Sequence, residues 1–267
     1  MHKNCFLIFL LFWGNISFGQ NLPKMQVWQD SLLSLGQKIF DNRAEVERIE
    51  SNFLFVKTLV SALKEPNSYF FDFDKLKMIS AIRSPDDKFR IFSWNVPLHD
   101  GSYLYYGAIQ HKSGTLKLIP LLDKTFEIKD VNKAVVRPDS WYGAQYYQII
   151  PFKPNSYLLL GWKGHHSDYT YKLIEVLNFT ATREATFGAP VFSDDSTLMR
   201  KIFSYARQAT MLLQYDPQNK RIEFDHLIPL QGGKPHQMVP DLTHDAYQIT
   251  PTQLIFKEDV VILNPEN

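Results

Sequence analysis

Histidine and aspartate side chains come close together at three places in the chain, and the first group has the composition of a metal site. His165, His166 and Asp168 would offer three ligands to zinc or another divalent cation if a turn brought them together. Adjacent side chains of an extended segment point to opposite sides, and no motif fixes a better geometry here. An exposed polar turn is the competing interpretation.

The other two groups suit acid/base chemistry. An aspartate that holds an imidazole can make it a general base, so Asp225, His226, His244 and Asp245 are candidate catalytic residues. If residues 221–227 form a strand, alternation turns His226 to the core and Asp225 to solvent, and His226 needs a carboxylate from elsewhere. The predicted loop 241–245 could reach it. A hydrogen-bonded core histidine and turn-forming aspartates are the alternative.

Aromatic side chains are the other chemical resource of the chain, at 14% of all residues. Exposed Trp and Tyr on a sheet can stack on sugars or hold an extended peptide, which makes Trp141, Tyr142 and Trp162 candidate ligand-binding residues. Residues 137–140 place the first two in a predicted loop. Core packing and cross-strand pairing of the rings are the alternative.

Several common chemistries have no signature in the sequence. It lacks the nucleophile elbow of hydrolases, the zinc-protease helix motif, a phosphate loop, a dinucleotide-binding glycine pattern and a calcium loop. No cofactor is evident from the sequence, and a bound divalent metal ion is the one cofactor hypothesis that remains. Twenty-nine Lys and Arg residues against 28 Asp and Glu give a net charge of +1, which argues against a nucleic-acid partner.

The first nineteen residues predict a secretory signal peptide. Lys3 precedes an apolar run of nine residues, and Ser17 and Gly19 stand at the −3 and −1 positions of a cut before Gln20. The run is too short to span a bilayer, so no transmembrane segment is expected in the mature chain. Cleavage also removes Cys5, the single cysteine. We therefore expect a periplasmic or secreted protein without thiol chemistry.

Residues 20–66 predict a helical hairpin. Met25, Trp28, Leu32, Leu35 and Ile39 follow the 3–4 spacing of one helical stripe. The same spacing resumes in a second stripe, at Val46, Ile49, Phe53, Val56, Val60 and Leu63. We expect these stripes to face each other or the rest of the protein.

Residues 67–267 predict a β-rich domain. Short aromatic and aliphatic runs are separated by turn signals such as 84–87, 153–156 and 216–219, which favour antiparallel neighbours. The predicted strands cover 88–94, 102–111, 115–121, 145–151, 156–162, 171–179, 201–204, 209–215, 221–227, 246–249, 253–256 and 260–263. Residues 197–209 are also compatible with a helix. The fold class is mainly β (α+β), with a helical hairpin followed by an antiparallel meander arranged as a rolled sheet, sandwich or propeller-like structure; barrel-like closure also stays open.

Several segments together resemble a family of uncharacterised exported bacterial proteins of the Gram-negative, Bacteroidota type. They are SPDDKFRIFSW (84–94), WYGA (141–144), LLGW (159–162), FGAPVF (187–192), FDHL (224–227) and DAY (245–247). The resemblance spans nearly the whole mature chain and implies export, in agreement with the signal peptide. It implies no activity and no site residues.

The missing catalytic signatures and the aromatic strands favour a non-catalytic binding or envelope-associated module. Its expected partner is a glycan, a peptide or an envelope protein, the last through residues 22–65. The competing hypothesis is a metal-assisted or acid/base hydrolase that uses Asp225, His226, His244 and Asp245.

Overall fold

The computed structural model describes residues 21–41, 44–164 and 166–262. The predicted signal peptide, with Cys5, lies outside these residues. Helices α1 (Leu22–Asp41) and α2 (Glu45–Leu63) come first. Thirteen strands follow in the described part: β1 (Ser80–Arg83), β2 (Phe89–Pro97), β3 (Tyr103–His111), β4 (Leu118–Leu122), β5 (Gln145–Lys153), β6 (Ser156–Gly164), β7 (Tyr169–Phe179), β8 (Ala185–Phe187), β9 (Lys201–Ala206), β10 (Leu213–Asp216), β11 (Arg221–Pro229), β12 (Met238–Ile249) and β13 (Leu254–Lys257).

The strands form three antiparallel sheets. Sheet 1 has the order β1-β2-β3-β4, and sheet 3 has the order β10-β11-β12-β13. Sheet 2 has the order β5-β6-β7-β8, and β9 pairs with the other half of β7. The predicted fold class is confirmed, and the sheets are open rather than closed into a barrel. Neither described helix has the length and apolar character that crossing a bilayer requires.

The helices and sheets pack in layers, with sheet 2 in the middle of the β part. Alternate residues of β2 face opposite ways, so that Phe92 and Trp94 pack against the helices while Phe89 and Ile91 pack against sheet 2. Sheet 2 in turn packs its other face against sheet 3. Because the hairpin and sheet 1 share one core, removing residues 22–65 would expose the helix-facing side chains of β2 to water.

Helix α2 buries a different face from the predicted stripe. Val46 and Phe53 are more than half exposed, whereas Phe55 and Leu59 are buried. The buried face includes a polar residue: the side-chain oxygen of Asn52 accepts a hydrogen bond of 2.7 Å from the indole of Trp94. The spacing of apolar residues in the sequence does not indicate such a polar contact.

The strand predictions fail at four places. Strands β1 and β8 are short and were not predicted, and the described residues of the predicted strand 260–263 are not in a strand. The helical alternative for 197–209 is also wrong, because this segment contains β9. The predicted loop 241–245 lies within the twelve-residue strand β12. Residues 241–243 lie where the pairing of β12 with β11 is interrupted, and Asp241 accepts the backbone N–H of Thr243 at 3.0 Å there.

A buried ion pair lies inside sheet 2. Nε of Arg200 donates to both carboxylate oxygens of Glu175, at 3.2 and 3.0 Å, and neither side chain is exposed. The guanidinium also donates to the carbonyls of Val131 and Phe187. Burial raises the pKa of Glu175, and Arg200 opposes that shift. The ion pair therefore depends on both partners being present.

We predict that Arg200→Met lowers the free energy of unfolding by about 3–5 kcal/mol, because Glu175 becomes a buried carboxylate without its counter-charge. Urea denaturation measures this. Lys201→Met is the matched control: Lys201 pairs with Asp194 near the surface, and its loss should cost no more than about 1 kcal/mol. Equal losses in the two variants would contradict the prediction, and Glu175→Leu added to Arg200→Met should recover stability.

Candidate functional site

The structure brings the four predicted acid/base residues together on adjacent strands of sheet 3. Asp225 and His226 lie on β11, and His244 and Asp245 lie opposite them on β12. The residues pair crosswise: Nδ1 of His226 is 2.9 Å from Asp245 Oδ2, and Nε2 of His244 is 3.3 Å from Asp225 Oδ1. His226 thus receives its carboxylate from the other strand.

The orientation predicted for His226 and Asp225 is wrong. The side chain of His226 is 47% exposed, whereas that of Asp225 is only 13% exposed. The pairing of β11 with β12 is irregular here, because the single residue His226 lies opposite residues 241–243 of β12, and His226 is exposed where the regular ladder is interrupted. Asp225 is held inward by the backbone N–H of Leu212, which donates to it at 2.7 Å.

The electrostatics of the His226–Asp245 pair favour a charged imidazole. The hydrogen bond that His226 donates to Asp245 raises the pKa of His226, burial opposes this, and the charges of Asp245, Asp241 and Asp259 add to the rise. Asp245 also accepts the backbone N–H of Asp259 at 3.2 Å. The pair can orient and protonate an imidazole, but it lines none of the cavities described below.

The predicted metal ligands are engaged with protein groups where they are described. Nδ1 of His166 accepts the backbone N–H of Asp168 at 3.2 Å, and the imidazole stacks on Tyr169. Lys234 donates to Asp168 at 2.6 Å. Among the described residues no group of three His, Cys, Asp or Glu side chains could hold a metal. His165 lies outside them, so the metal hypothesis stays a prediction.

Two of the three predicted ligand-binding aromatics are core residues, and the expectation of exposed rings at these positions is wrong. Trp141 is fully buried and its indole donates to the hydroxyl of Tyr146 at 2.9 Å. Tyr142 is 2% exposed and its ring lies 4.6 Å from the Nζ of Lys163. The chain enters the core directly after the short turn Pro138–Ser140. Trp162 is half-buried against the edge of Tyr103.

Sequence reasoning missed a cavity of about 510 Å³ at one end of the interface between sheets 1 and 2. Four separate parts of the chain meet there: the β1–β2 turn, the end of β3, the β5–β6 turn and the end of β7 with its following turn. Its aromatic wall comprises Phe89, His111, Tyr157 and Phe179. The rings meet edge to face, with centroids 4.8 Å apart for Phe89 and Tyr157 and 5.0 Å apart for Phe89 and Phe179.

Two carboxylates on the cavity rim are held by the protein itself. Asp86 accepts the hydroxyl of Tyr157 at 2.7 Å and pairs with Lys88 at 3.0 Å. Burial opposes ionisation of Asp86, but these bonds lower its pKa overall. Lys112 donates to Asp87 and lowers the pKa of that carboxyl, and the hydroxyl of Tyr69 adds a bond of 3.0 Å. Both carboxylates therefore stay ionised and satisfied.

His111 is the polar member of the aromatic wall. It is 8% exposed, and its Nε2 is the one buried side-chain nitrogen or oxygen without a hydrogen-bond partner among the described residues. Burial lowers the pKa of His111, the positive charges of Arg183 and Lys117 lower it further, and a backbone hydrogen bond to Arg183 opposes them. At neutral pH, His111 is therefore a neutral imidazole near the positive charges of Arg183 and Lys117.

Residues from the predicted turns 84–87 and 153–156 contribute to this cavity, and those turn signals were the available hint of its position. The sequence does not indicate that the turns converge. No protein-family model matches the chain, and no curated protein or solved structure matches it significantly. The resemblance to exported bacterial proteins stays a prediction, and the site must be interpreted from its own geometry.

We predict that Asp245→Asn lowers the pKa of His226, which in the unaltered protein lies above its ordinary value of 6.5. NMR titration of the imidazole resonances measures the change. Asp225→Asn is the control, because it alters the partner of His244 and leaves Asp245 in place. Since the folded-state pKa is raised, this pair stabilises the fold at low pH, and its contribution disappears as pH rises through that pKa. An unchanged pKa in Asp245→Asn would refute the assignment.

Proposed function

We propose that the protein is an exported, non-catalytic binding module whose ligand occupies the cavity between sheets 1 and 2. The observation that carries the proposal is the cavity itself, whose volume of about 510 Å³ falls in the range of roughly 300–1,000 Å³ typical of small-molecule sites. An aromatic wall beside a few polar groups is also the usual composition of such sites.

The arrangement of the rim supports a site that is formed before the ligand arrives. Tyr157 reaches from sheet 2 to Asp86 on sheet 1, and Asp87 is held by Tyr69 and Lys112. These contacts cross between elements and hold the turns at the mouth in place. A preformed site loses less conformational entropy when it binds.

The size of the cavity argues for a compact ligand. The cavity has room for a single ring, a monosaccharide or one side chain of a peptide, so a glycan or peptide partner could place one unit in it. Export rests on the predicted signal peptide, and a mature chain beginning at Gln20, measured by intact mass, would support it.

A second candidate function is a metal-assisted or acid/base hydrolase that uses Asp225, His226, His244 and Asp245. It is supported by the 2.9 Å contact between His226 and Asp245, together with the accessibility of the imidazole. A carboxylate-held imidazole is the minimum that general base catalysis needs.

Ligand-observed NMR against a panel of single-ring aromatics, monosaccharides and amino acids tests the binding proposal. Ala181 is exposed and lines the cavity, so the ring of Ala181→Phe should obstruct the cavity and abolish the signals of bound compounds. Thr182→Phe places the same ring on the next residue, outside the cavity lining, and should leave them intact. Binding that survives Ala181→Phe, or a panel without any bound compound, would refute the proposed site.

Hydrolysis of 4-nitrophenyl esters and glycosides tests the second candidate. If the pair is catalytic, His226→Asn should lower the rate at least tenfold, while His99→Asn, at another exposed histidine, should not. Dialysis against a chelator should abolish a metal-assisted reaction. Equal rates in the two histidine variants would show that only nonspecific imidazole catalysis is present.

A further inference from the structure

The charged residues on the cavity rim differ in whether the protein neutralises them. Lys88 and Lys112 pair with Asp86 and Asp87. Arg183, on the turn after β7, also lines the cavity, and its guanidinium has no carboxylate partner among the described residues. The rim therefore has one positive charge that the described protein groups leave uncompensated.

The wall behind Arg183 carries the second observation. His111 lines the cavity, is more than nine-tenths buried, and keeps a ring nitrogen that no described group uses. Lys117 adds a second positive charge near this imidazole. A ligand that brings negative charge to this end of the cavity would meet the guanidinium of Arg183 and lie beside a histidine able to accept a proton.

We infer that the cavity takes a small aromatic carboxylate, with its ring against Phe89, Tyr157 and Phe179 and its carboxylate directed toward Arg183. This inference rests on the proposed binding function and names the ligand class. Aromatic rings offer edge and face contacts to a flat ligand, and an arginine pairs well with a carboxylate. The two rim aspartates do not oppose the anion strongly, because each is already paired with a lysine and a tyrosine hydroxyl.

Protonation of His111 is coupled to this occupancy. Bound negative charge favours the imidazolium, so the pKa of His111 rises on binding, and by linkage the affinity rises as pH falls from about 7.5 to 5.5. The charged groups that line the cavity with His111 are Asp86, Asp87, Lys88, Lys112 and Arg183, with Lys117 nearby. The lysines and the arginine keep their charge throughout this window, and the lowered pKa values keep both aspartates ionised.

Three compounds with the same ring and chain length test the ligand class by NMR titration: phenylacetate, 2-phenylethanol and 2-phenylethylamine. We expect phenylacetate to bind about fivefold more tightly than the alcohol, as one partly exposed ion pair allows, and the amine to bind more weakly still. Acetate alone should not bind measurably. Raising the salt concentration should reduce the preference for the anion.

Two variants test the named residues. Arg183→Gln should lower phenylacetate affinity to that of 2-phenylethanol and leave the alcohol unchanged, whereas Arg137→Gln, at another exposed arginine, should change neither. The backbone at Arg183 is left-handed, and glutamine has a β-carbon as arginine does, so Arg183→Gln does not change the backbone strain at this position. His111→Phe should remove the pH dependence of phenylacetate binding, because the titrating imidazole is replaced by a ring that carries no charge.

The outcomes separate the two levels of inference. Equal binding of the three compounds, or an unchanged preference in Arg183→Gln, would overturn the aromatic carboxylate and leave the cavity as a binding site. Binding of 2-phenylethylamine above the others would also overturn it. If no ring compound binds and no compound of the wider panel binds either, the proposed binding function is refuted together with the ligand class. A pH dependence of phenylacetate binding that survives in His111→Phe would overturn the coupling to His111.

Discussion

Arg200 and Glu175 form an ion pair in which neither side chain is exposed. Sheet 2 lies between sheets 1 and 3, so the side chains at the middle of β7 have no route to water on either face. A charge is tolerated there only if a partner of opposite charge and further hydrogen bonds accompany it. Arg200 meets this requirement and, through the carbonyls of Phe187 and Val131, joins β7 to β8 and to the long connection between sheets 1 and 2.

That connection carries the aromatic residues which the sequence offered as a binding surface. Lys163 on β6 is also buried, and burial lowers its pKa to about 8 although Asp123 opposes the shift. Its Nζ donates to Thr125 Oγ1 and to the carbonyl of Gly143, and it lies 4.3 Å from the ring of Tyr105. Tyr142 completes this environment for Lys163 and also lies near Arg200. The ring of Tyr142 thus lies beside both buried cations, Lys163 and Arg200. The position of Tyr142 in the sequence does not indicate this role.

The elements that could be predicted from the sequence are those with a local periodic signal. Apolar spacing predicts both helices and most long strands, because each pattern reports one exposed and one buried side within a dozen residues. The exposure of His226 could not be predicted, since it lies at an irregularity in the pairing of β11 with β12 that alternation along one strand does not indicate. The sequence did indicate that segment 241–245 could supply a carboxylate to His226, although as a loop and not as a strand. Turn signals marked two parts of the cavity, but their convergence had no local signal, because its contacts join residues as distant as Asp86 and Tyr157, 71 positions apart.

The position of His111 distinguishes the cavity from a packing defect. An unpartnered polar atom inside a protein costs about 1–3 kcal/mol, and Nε2 of His111 is such an atom among aromatic neighbours. Elsewhere in the described chain buried polar side chains are satisfied, Arg90 by Gln110 and the carbonyls of Ser68 and Phe71. The exception belongs to a residue in the wall of the cavity between sheets 1 and 2, and that wall also contains Arg183, which no carboxylate of the described residues neutralises. Local departures from a satisfied interior are expected where binding, rather than stability, determines the residue.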